Sequence, residues 1–196
     1  MSKDFFNARA ATWDENVAEK DTAKLRAMAG QLDIPEGAEV LDIGTGTGVF
    51  VPFLLEKIGQ NGRLVCLDFA EAMLKIAMDK GFGENIEYIC ADIVDSSLPD
   101  ESFDVVVCYS VFPHFENKPK VLKEINRVLR KQGRLYICHT SSRHDINEIH
   151  SNIPDVCTHL FPENAETCCL LEDAGFEEIS IDDAEEYYLV KARKAE

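Results

Sequence analysis

A loop with glycine at every second position, directly after a short apolar strand, constrains this chain more than any other feature. The segment runs from Val40 to Gly48 and reads Val-Leu-Asp-Ile-Gly-Thr-Gly-Thr-Gly. Glycine lacks a Cβ, so it adopts positive φ in tight turns and lets a ligand approach the backbone closely. The helix expected next, from about Val49 to Ile58, presents unpaired backbone N–H groups to such a ligand. The segment therefore predicts a ligand-binding strand–turn–helix unit.

The spacing of the glycines separates this loop from two other nucleotide-binding loops. A dinucleotide-binding fingerprint has its third glycine three residues after the second, whereas Gly46 and Gly48 are only two apart. No Lys-Ser or Lys-Thr pair follows, which excludes a P-loop. An ordinary strand-to-helix connection remains the alternative for an isolated Gly-x-Gly. It accounts poorly for three regular glycines preceded by Asp42.

The same segment resembles the first motif of class I S-adenosylmethionine (SAM)-dependent methyltransferases. That motif has two hydrophobic residues, Asp or Glu, any residue, and then Gly-x-Gly-x-Gly, and it matches here without a gap. The resemblance extends from about Val40 to Ala192 and implies a Rossmann-like fold with SAM as cofactor. Along the loop it implies cofactor contacts from Asp42, Gly44, Thr45, Gly46 and Gly48.

Two further acidic residues follow predicted strands. Asp68 ends the strand that begins near Gly62, where a Rossmann-like fold places the carboxylate that binds ribose hydroxyls. It could also cap the helix predicted over residues 70–80, and the two roles are compatible. Asp92 ends the next strand, and the resemblance implies that its carboxylate lies near the adenine amino group. Further cofactor contacts are expected from Trp13, Phe69, Met73, Ala91, Ile93 and Tyr109.

Strands and helices alternate along the chain without an internal repeat. Strands are predicted near 38–43, 62–67, 86–91, 103–109, 133–139, 176–181 and 186–192, and helices near 48–58, 70–80, 117–130 and 163–174. Continuous apolar runs such as Val105 to Cys108 fit parallel strands covered on both faces. With right-handed crossovers they predict an α/β, doubly wound, mostly parallel seven-stranded sheet. The resemblance implies that a C-terminal antiparallel hairpin ends this sheet.

The 196 residues suffice for one SAM-binding domain, 1–196. Residues 1–32 are expected to form N-terminal cover helices and residues 140–169 a lid insertion, because ligands bind beyond the carboxyl ends of the strands. The segment from Phe5 to Asp14 resembles the cover helix of methyltransferases related to ubiquinone and menaquinone biosynthesis. Phe6 and Trp13 can equally be packing residues of an amphipathic helix.

Composition restricts partners and compartment. A net charge of −16 repels phosphate backbones, so no nucleic-acid partner is expected, and the basic cluster from Lys118 to Arg134 fits a solvated helix face. Seven cysteines without a C-x-x-C pair indicate a reducing cytoplasm, and no apolar run is long enough for a membrane span. Four cysteines in apolar strands are expected to be buried: Cys66, Cys90, Cys108 and Cys138.

Two histidines are candidate general bases. Methyl transfer requires the acceptor to lie in line with the methyl group at about 3–3.5 Å, and a base if the acceptor carries a proton. His114 follows the fourth strand, at a position where related enzymes often carry His or Trp, and ranks first. His139 ends the fifth strand and is expected near the reactive sulfur. Each could instead be a hydrogen-bonded loop histidine without chemistry.

The lid insertion raises the question of a metal. His and Cys suit zinc, and the side chains concerned are His139, His144, His150, Cys157 and His159. Their irregular spacing lacks the tight ligand pairs of structural zinc sites, so we expect no metal and no stoichiometric zinc. Cys157, Cys168 and Cys169 could alternatively bind a thiophilic substrate, although the adjacent pair fits a helix before Leu170.

The sequence therefore predicts an enzyme that transfers a methyl group from SAM to a small-molecule acceptor. A SAM-binding sensor or partner subunit without catalysis is the first alternative. A nicotinamide-dependent oxidoreductase is the second, and the spacing of Gly44, Gly46 and Gly48 disfavours it. The acceptor atom stays open.

Overall fold

The computed structural model describes residues 3–15 and 21–196. Within these ranges the structure contains seven α-helices and seven strands. The helices are α1 (Lys3–Trp13), α2 (Thr22–Gln31), α3 (Val51–Ile58), α4 (Glu71–Asp79), α5 (Lys118–Val128), α6 (Arg143–Ser151) and α7 (Asn164–Asp173). The strands are β1 (Glu39–Ile43), β2 (Arg63–Asp68), β3 (Ile86–Cys90), β4 (Phe103–Tyr109), β5 (Leu129–His139), β6 (Phe176–Asp183) and β7 (Tyr188–Lys194). Short 3-10 turns at Ile93–Asp95 and Phe112–His114 follow β3 and β4.

The strands form one sheet in the order β3-β2-β1-β4-β5-β7-β6. Strands β1 to β5 pair in parallel, and β7 pairs antiparallel with both β5 and β6. This arrangement confirms the predicted α/β, doubly wound, mostly parallel sheet with a C-terminal antiparallel hairpin. The chain order reverses between β1 and β4, and ligands of open α/β sheets bind at the carboxyl edge of such a switch point.

Successive residues of the central strands pack alternately into two apolar cores, one on each face of the sheet. Val40 of β1 packs in the core under α2 and α3, whereas its neighbour Leu41 packs in the core under α5 and α7. Successive strand side chains point to opposite faces, so a strand covered on both sides must be apolar throughout. Fully burying one such side chain stabilises the fold by about 1.5–3 kcal/mol.

Three local features differ from the sequence prediction. β5 begins at Leu129, directly after α5, because a register shift opposite β4 and positive φ at Gln132 absorb the irregular start of the strand. A helix, α6, forms within the lid insertion, where no helix was predicted. Cys90 is exposed, so its predicted burial is wrong, whereas the burial of Cys66, Cys108 and Cys138 is confirmed. Cys90 lies on β3, one of the two edge strands of the sheet, which is covered less than the central strands.

Helix α1 lies against the start of α4 and closes that side of the sheet edge. Phe6 of α1 packs edge-to-face on Phe69, with ring centroids 5.7 Å apart. The Oδ1 atom of Asn7 accepts a hydrogen bond of 2.9 Å from the backbone N–H of Ala72, in the first turn of α4. This bond satisfies one of the amide groups that a helix N-terminus leaves without an intrahelical partner. Among the helices of the described ranges, none combines the length and apolar character that a membrane span requires.

Candidate active site

A cavity of about 470 Å³ opens at the switch point of the sheet. Its volume falls within the range of roughly 300–1,000 Å³ that is usual for small-molecule sites. The walls come from the glycine loop, the ends of β1, β2 and β4, both 3-10 turns and helix α1. The cavity therefore lies where the strand order predicts a ligand crevice.

The three loop glycines all have positive φ, but they differ in what a side chain at each position would meet. A Cβ on Gly44 would lie 2.3 Å from Val111 Cγ2, and one on Gly48 would lie 2.8 Å from the Phe82 ring. A Cβ on Gly46 would meet only the carbonyl oxygen of Gly44, at 3.9 Å. Packing thus accounts for Gly44 and Gly48, whereas Gly46 keeps a space open beside the cavity that it lines. Gly48 itself is not among the lining residues.

Asp68 fastens this loop to the end of β2. Its Oδ2 atom accepts a hydrogen bond of 2.8 Å from the N–H of Gly46, and its Oδ1 atom accepts one of 2.7 Å from the N–H of Ala70. Burial raises the pKa of the carboxyl group, and these two N–H donors oppose the increase. The helix cap falls at Ala70 rather than at Asp68. Asp68 therefore lines the cavity while it holds Gly46 in place.

Asp42 supports the loop from behind and does not line the cavity. Its buried carboxyl group accepts a hydrogen bond of 2.5 Å from the hydroxyl of Thr45. Burial raises the pKa of Asp42 to about 7; the bond from Thr45 lowers the pKa and the nearby Asp68 raises it further. Thr45 does line the cavity, so Asp42 can act on a ligand only through the loop.

The raised pKa of Asp42 makes stability depend on pH. Between pH 3.8 and about 7 the folded protein keeps a proton on Asp42 that the unfolded chain has released. The free energy of unfolding therefore falls as the pH rises through this window. We expect Asp42→Asn, which cannot ionise, to gain stability relative to the wild type across the window, with the difference levelling off at higher pH. Denaturant titrations at several pH values measure this, and a difference independent of pH would contradict it.

The other predicted cofactor residues gather around the far side of the cavity. Asp92 caps the turn after β3, where its Oδ1 atom accepts a hydrogen bond of 3.0 Å from the N–H of Val94. Tyr109 stacks on Phe50 with ring centroids 4.6 Å apart, and its hydroxyl is 2.8 Å from that of Thr140. The lining residues that the sequence predicted are Trp13, Gly44, Thr45, Gly46, Asp68, Phe69, Met73, Ala91, Asp92, Ile93, Tyr109 and His114.

Asp14, which was not among the residues predicted for the site, links the end of α1 to two other elements at this edge. Its Oδ1 atom accepts a hydrogen bond of 2.6 Å from the hydroxyl of Thr47 in the glycine loop. Its Oδ2 atom pairs with the ammonium group of Lys80, at 2.8 Å, just after α4. A single acidic residue after Trp13 has no local sequence signal, because its partners are distant in the chain. The structure thus ties the cover helix directly to the loop.

The two candidate bases occupy different environments. His114 is partly buried, lines the cavity and packs edge-to-face on Phe6, with ring centroids 5.5 Å apart. His139 is buried outside the lining, with its ring 6.2 Å from that of Tyr109 and 6.3 Å from that of Phe161. Burial lowers the pKa of His139 to about 3 and holds that of His114 well below its usual range. The geometry favours His114, and a catalytic role of His139 stays a prediction.

The lid insertion brings two of its histidines to His114 and leaves the other predicted ligands apart. The Nδ1 atoms of His114 and His159 are 3.3 Å apart, and the rings of His114 and His150 are 4.8 Å apart. His144 is exposed on α6, 4.0 Å from Glu148. Cys157 is exposed in the following loop, and Cys168 and Cys169 lie on α7, as the helix alternative predicted.

The metal ligands considered from the sequence do not assemble as a set. In the described part of the chain, the group of ligating side chains close enough to share one ion is His144, Asp145 and Glu148. All three are exposed, and exposed acidic groups of this kind need no ion. The expectation of no bound metal stays a prediction.

Known proteins resemble this chain both in sequence and in fold. Residues 41–137 match the family described as a methyltransferase domain, and this range contains the glycine loop, Asp68, Asp92 and His114. The chain belongs to the class I SAM-dependent methyltransferases. The ubiquinone/menaquinone biosynthesis C-methyltransferase of Hahella chejuensis is 36% identical over 105 residues, which cover 52% of this chain and 42% of that protein. The chain thus spans less than half the length of this relative.

Solved structures share the methyltransferase fold over nearly the whole chain. A methyltransferase solved in complex with the Haloferax volcanii Trm112 methyltransferase activator is 21% identical, with a TM-score of 0.79 over 97% of this chain and 98% of that one. A SAM-dependent methyltransferase from Aquifex aeolicus is 22% identical, with a TM-score of 0.74 over 98% of both chains. At these identities the likeness concerns the fold alone.

Proposed function

We propose that this protein binds SAM in the cavity at the switch point and transfers its methyl group to a small-molecule acceptor. The observation that carries the proposal is the open space at Gly46, in a cavity that also contains Asp68 and His114. When bound, SAM supplies a methyl group that its sulfonium already activates. The protein then has to hold the two reactants in line, exclude water and accept a proton.

The lining residues divide into a cofactor side and an acceptor side. On the cofactor side, Asp68 offers a carboxylate to the ribose hydroxyls and Asp92 offers one to the adenine amino group. Phe69, Met73 and Ile93 supply an apolar wall that suits a flat base. Asp42 and Gly48 contribute indirectly, by supporting the loop.

On the acceptor side, aromatic rings dominate. Phe6 of α1 packs edge-to-face on His114, and Trp13 packs on Phe6. Phe115 adds a further ring, and Asn117 and Lys120 add polar groups. We propose a small acceptor with an apolar portion and an ionisable X–H bond, where X is the methylated atom. A neutral imidazole at His114 can accept that proton.

The net charge of −16 disfavours a nucleic-acid acceptor. Seven free cysteines fit a reducing, cytoplasmic setting.

Ligand-dependent thermal unfolding followed by a transfer assay tests this function. S-adenosylhomocysteine (SAH) at 100 times its Kd should stabilise the protein by about 2.7 kcal/mol, and NADH should not stabilise it. Tritiated SAM is then offered with catechol, thiophenol, aniline and acetylacetone as O–H, S–H, N–H and C–H probes. Stabilisation with transfer supports the enzyme. Binding of SAH without transfer to any probe favours the non-catalytic alternative, and stabilisation by NADH alone would overturn the proposal.

Asp68→Ala should weaken SAH binding by about 1.5–3 kcal/mol, the usual contribution of hydrogen bonds to a charged group. The loss combines missing bonds to the ribose with release of the N–H of Gly46, which Asp68 holds at 2.8 Å. Calorimetry measures the Kd. Asp79→Ala, on the exposed end of α4 and paired with Lys75, is the control that should bind normally. An unchanged Kd in folded Asp68→Ala would remove Asp68 from the site.

A further inference from the structure

Three histidines from separate segments form a cluster around His114, which is the member that lines the cavity. His114 follows β4, His150 lies near the end of α6, and His159 lies in the loop before α7. The Nδ1 atoms of His114 and His159 are 3.3 Å apart, and the ring centroids of these two residues are 5.5 Å apart. The ring of His150 lies 4.8 Å from that of His114. The cluster thus joins the lid insertion to the proposed base.

The hydrogen bonds of this cluster restrict how its protons are arranged. A contact between two imidazole nitrogens requires one to donate a proton and the other to accept it. His150 Nδ1 donates to the backbone carbonyl of His159, at 2.5 Å, and thereby fixes the loop that carries His159. The Nδ1 atom of His114 is engaged by His159, which leaves the Nε2 atom of His114 for the cavity.

We infer that His159 removes, through His114, the proton that the acceptor loses during methyl transfer. The inference rests on the proposed function. As the bond between the acceptor atom and the methyl carbon forms, the carbon–sulfur bond breaks and its electron pair stays on sulfur. His114 Nε2 takes the acceptor's proton, the Nδ1 proton of His114 passes to His159 Nδ1, and His159 Nε2 releases a proton to water. One proton enters the pair and one leaves.

The surroundings of His114 explain why the proton must move on. Burial lowers its pKa, and so do the neighbouring His150, His159 and His139 and the ammonium group of Lys118 on α5. The ammonium group is fixed there, 3.1 Å from each of the carbonyl oxygens of Pro113 and Phe115. An imidazolium in this place would be both poorly solvated and repelled. His159 has more solvent access than the buried His139 and gives the proton an outlet.

The pair also has to return to its starting state. After transfer, His114 carries its proton on Nε2 and His159 carries one on Nδ1. When product leaves, water entering the cavity exchanges both protons and restores the original tautomers. The groups that face the pair are His139 of β5, His150 of α6 and Lys118 of α5. Burial lowers the pKa of Lys118, and Glu166 of α7 partly offsets this.

Nitrogen NMR of the full chain, labelled with ¹⁵N-histidine and saturated with SAH, tests the arrangement without an acceptor. We expect His114 to be neutral with its proton on Nδ1 at pH 7. His159→Gln should change the ¹⁵N shifts of His114, whereas His144→Gln, an exposed substitution on α6, should not. A proton on Nε2 of His114 in the wild type would overturn the relay. So would one metal ion per chain bound by His114 and His159, since both Nδ1 atoms would then be ligands.

Steady-state kinetics with a probe acceptor that the wild type methylates test the function of the pair. His159→Gln should lower kcat roughly 10- to 100-fold, the lower part of the range for general acid–base catalysis, with KM and SAH affinity unchanged. Added imidazole should restore much of the rate in His159→Gly and have no effect in His144→Gly. Full kcat in His159→Gln alongside active wild type would reject the relay alone. Absence of SAH binding in the wild type would reject the proposed function.

Discussion

Gly46→Val should reduce the affinity for SAH at least about 100-fold, the largest binding defect expected from one substitution. Gly46 has a φ of +56°, and apart from its chain neighbours the carbonyl oxygen of Gly44, at 3.9 Å, is the protein atom within 4 Å of a Cβ built there. A branched side chain is strained in that conformation and would fill the space left for the cofactor. Isothermal titration calorimetry of the folded variant measures the effect.

Gly81 provides a matched control that distinguishes a blocked cofactor site from backbone strain at Gly46. Gly81 has a φ of +65°, nothing lies within 4 Å of a Cβ built there, and it is not a lining residue. Gly81→Val should therefore have a comparable cost in stability and bind SAH normally. If both variants lose SAH affinity equally, or if Gly46→Val binds as the wild type does, the binding mode along the loop is wrong.

His114→Gln should lower kcat by about 10²- to 10⁴-fold, the usual contribution of a general base. The imidazole is held neutral by burial and lines the acceptor side of the cavity. Glutamine keeps polar atoms and similar bulk but cannot take a proton. Because the proposed ribose and adenine contacts lie elsewhere, SAH affinity should change little. Steady-state kinetics with a probe acceptor that the wild type methylates measure kcat, and calorimetry measures the affinity for SAH.

His139→Gln is the counterpart that compares the two predicted bases. The His139 ring is buried among aromatic side chains outside the lining of the cavity. We expect the kcat of His139→Gln to remain within a few-fold of the wild-type value once the folded fraction is taken into account. A large loss in His139→Gln with normal turnover in His114→Gln would exchange the roles assigned to the two residues.

The central fold could be predicted because its strands carry the signal themselves. Val105 to Cys108 must be apolar to be buried on both faces of the sheet, and that requirement is visible in the sequence. Helix α6 left no such signal, because Ile146 is its one buried residue and its other large apolar residue, Ile149, is exposed. The start of β5 was also missed, since β5 continues directly from α5 without a turn residue that marks the boundary.

The cofactor side of the site was predictable for the same reason, and the acceptor side was not. Gly46 and Asp92 follow strands and Asp68 ends one, and the doubly wound topology brings strand ends to one edge. His159 meets His114 across 45 residues of sequence, a contact that depends on how the lid insertion folds. Asp14 and Asn7 likewise act on partners distant in the chain, so no local pattern could identify them.

A crystal structure of the protein with SAH tests whether the cofactor binds at the switch point as proposed. We expect the ribose hydroxyls on Asp68, the adenine beside Asp92, and the sulfur facing the part of the cavity in front of His114. SAH bound elsewhere, or a sulfur walled off from His114 and Phe115, would contradict it.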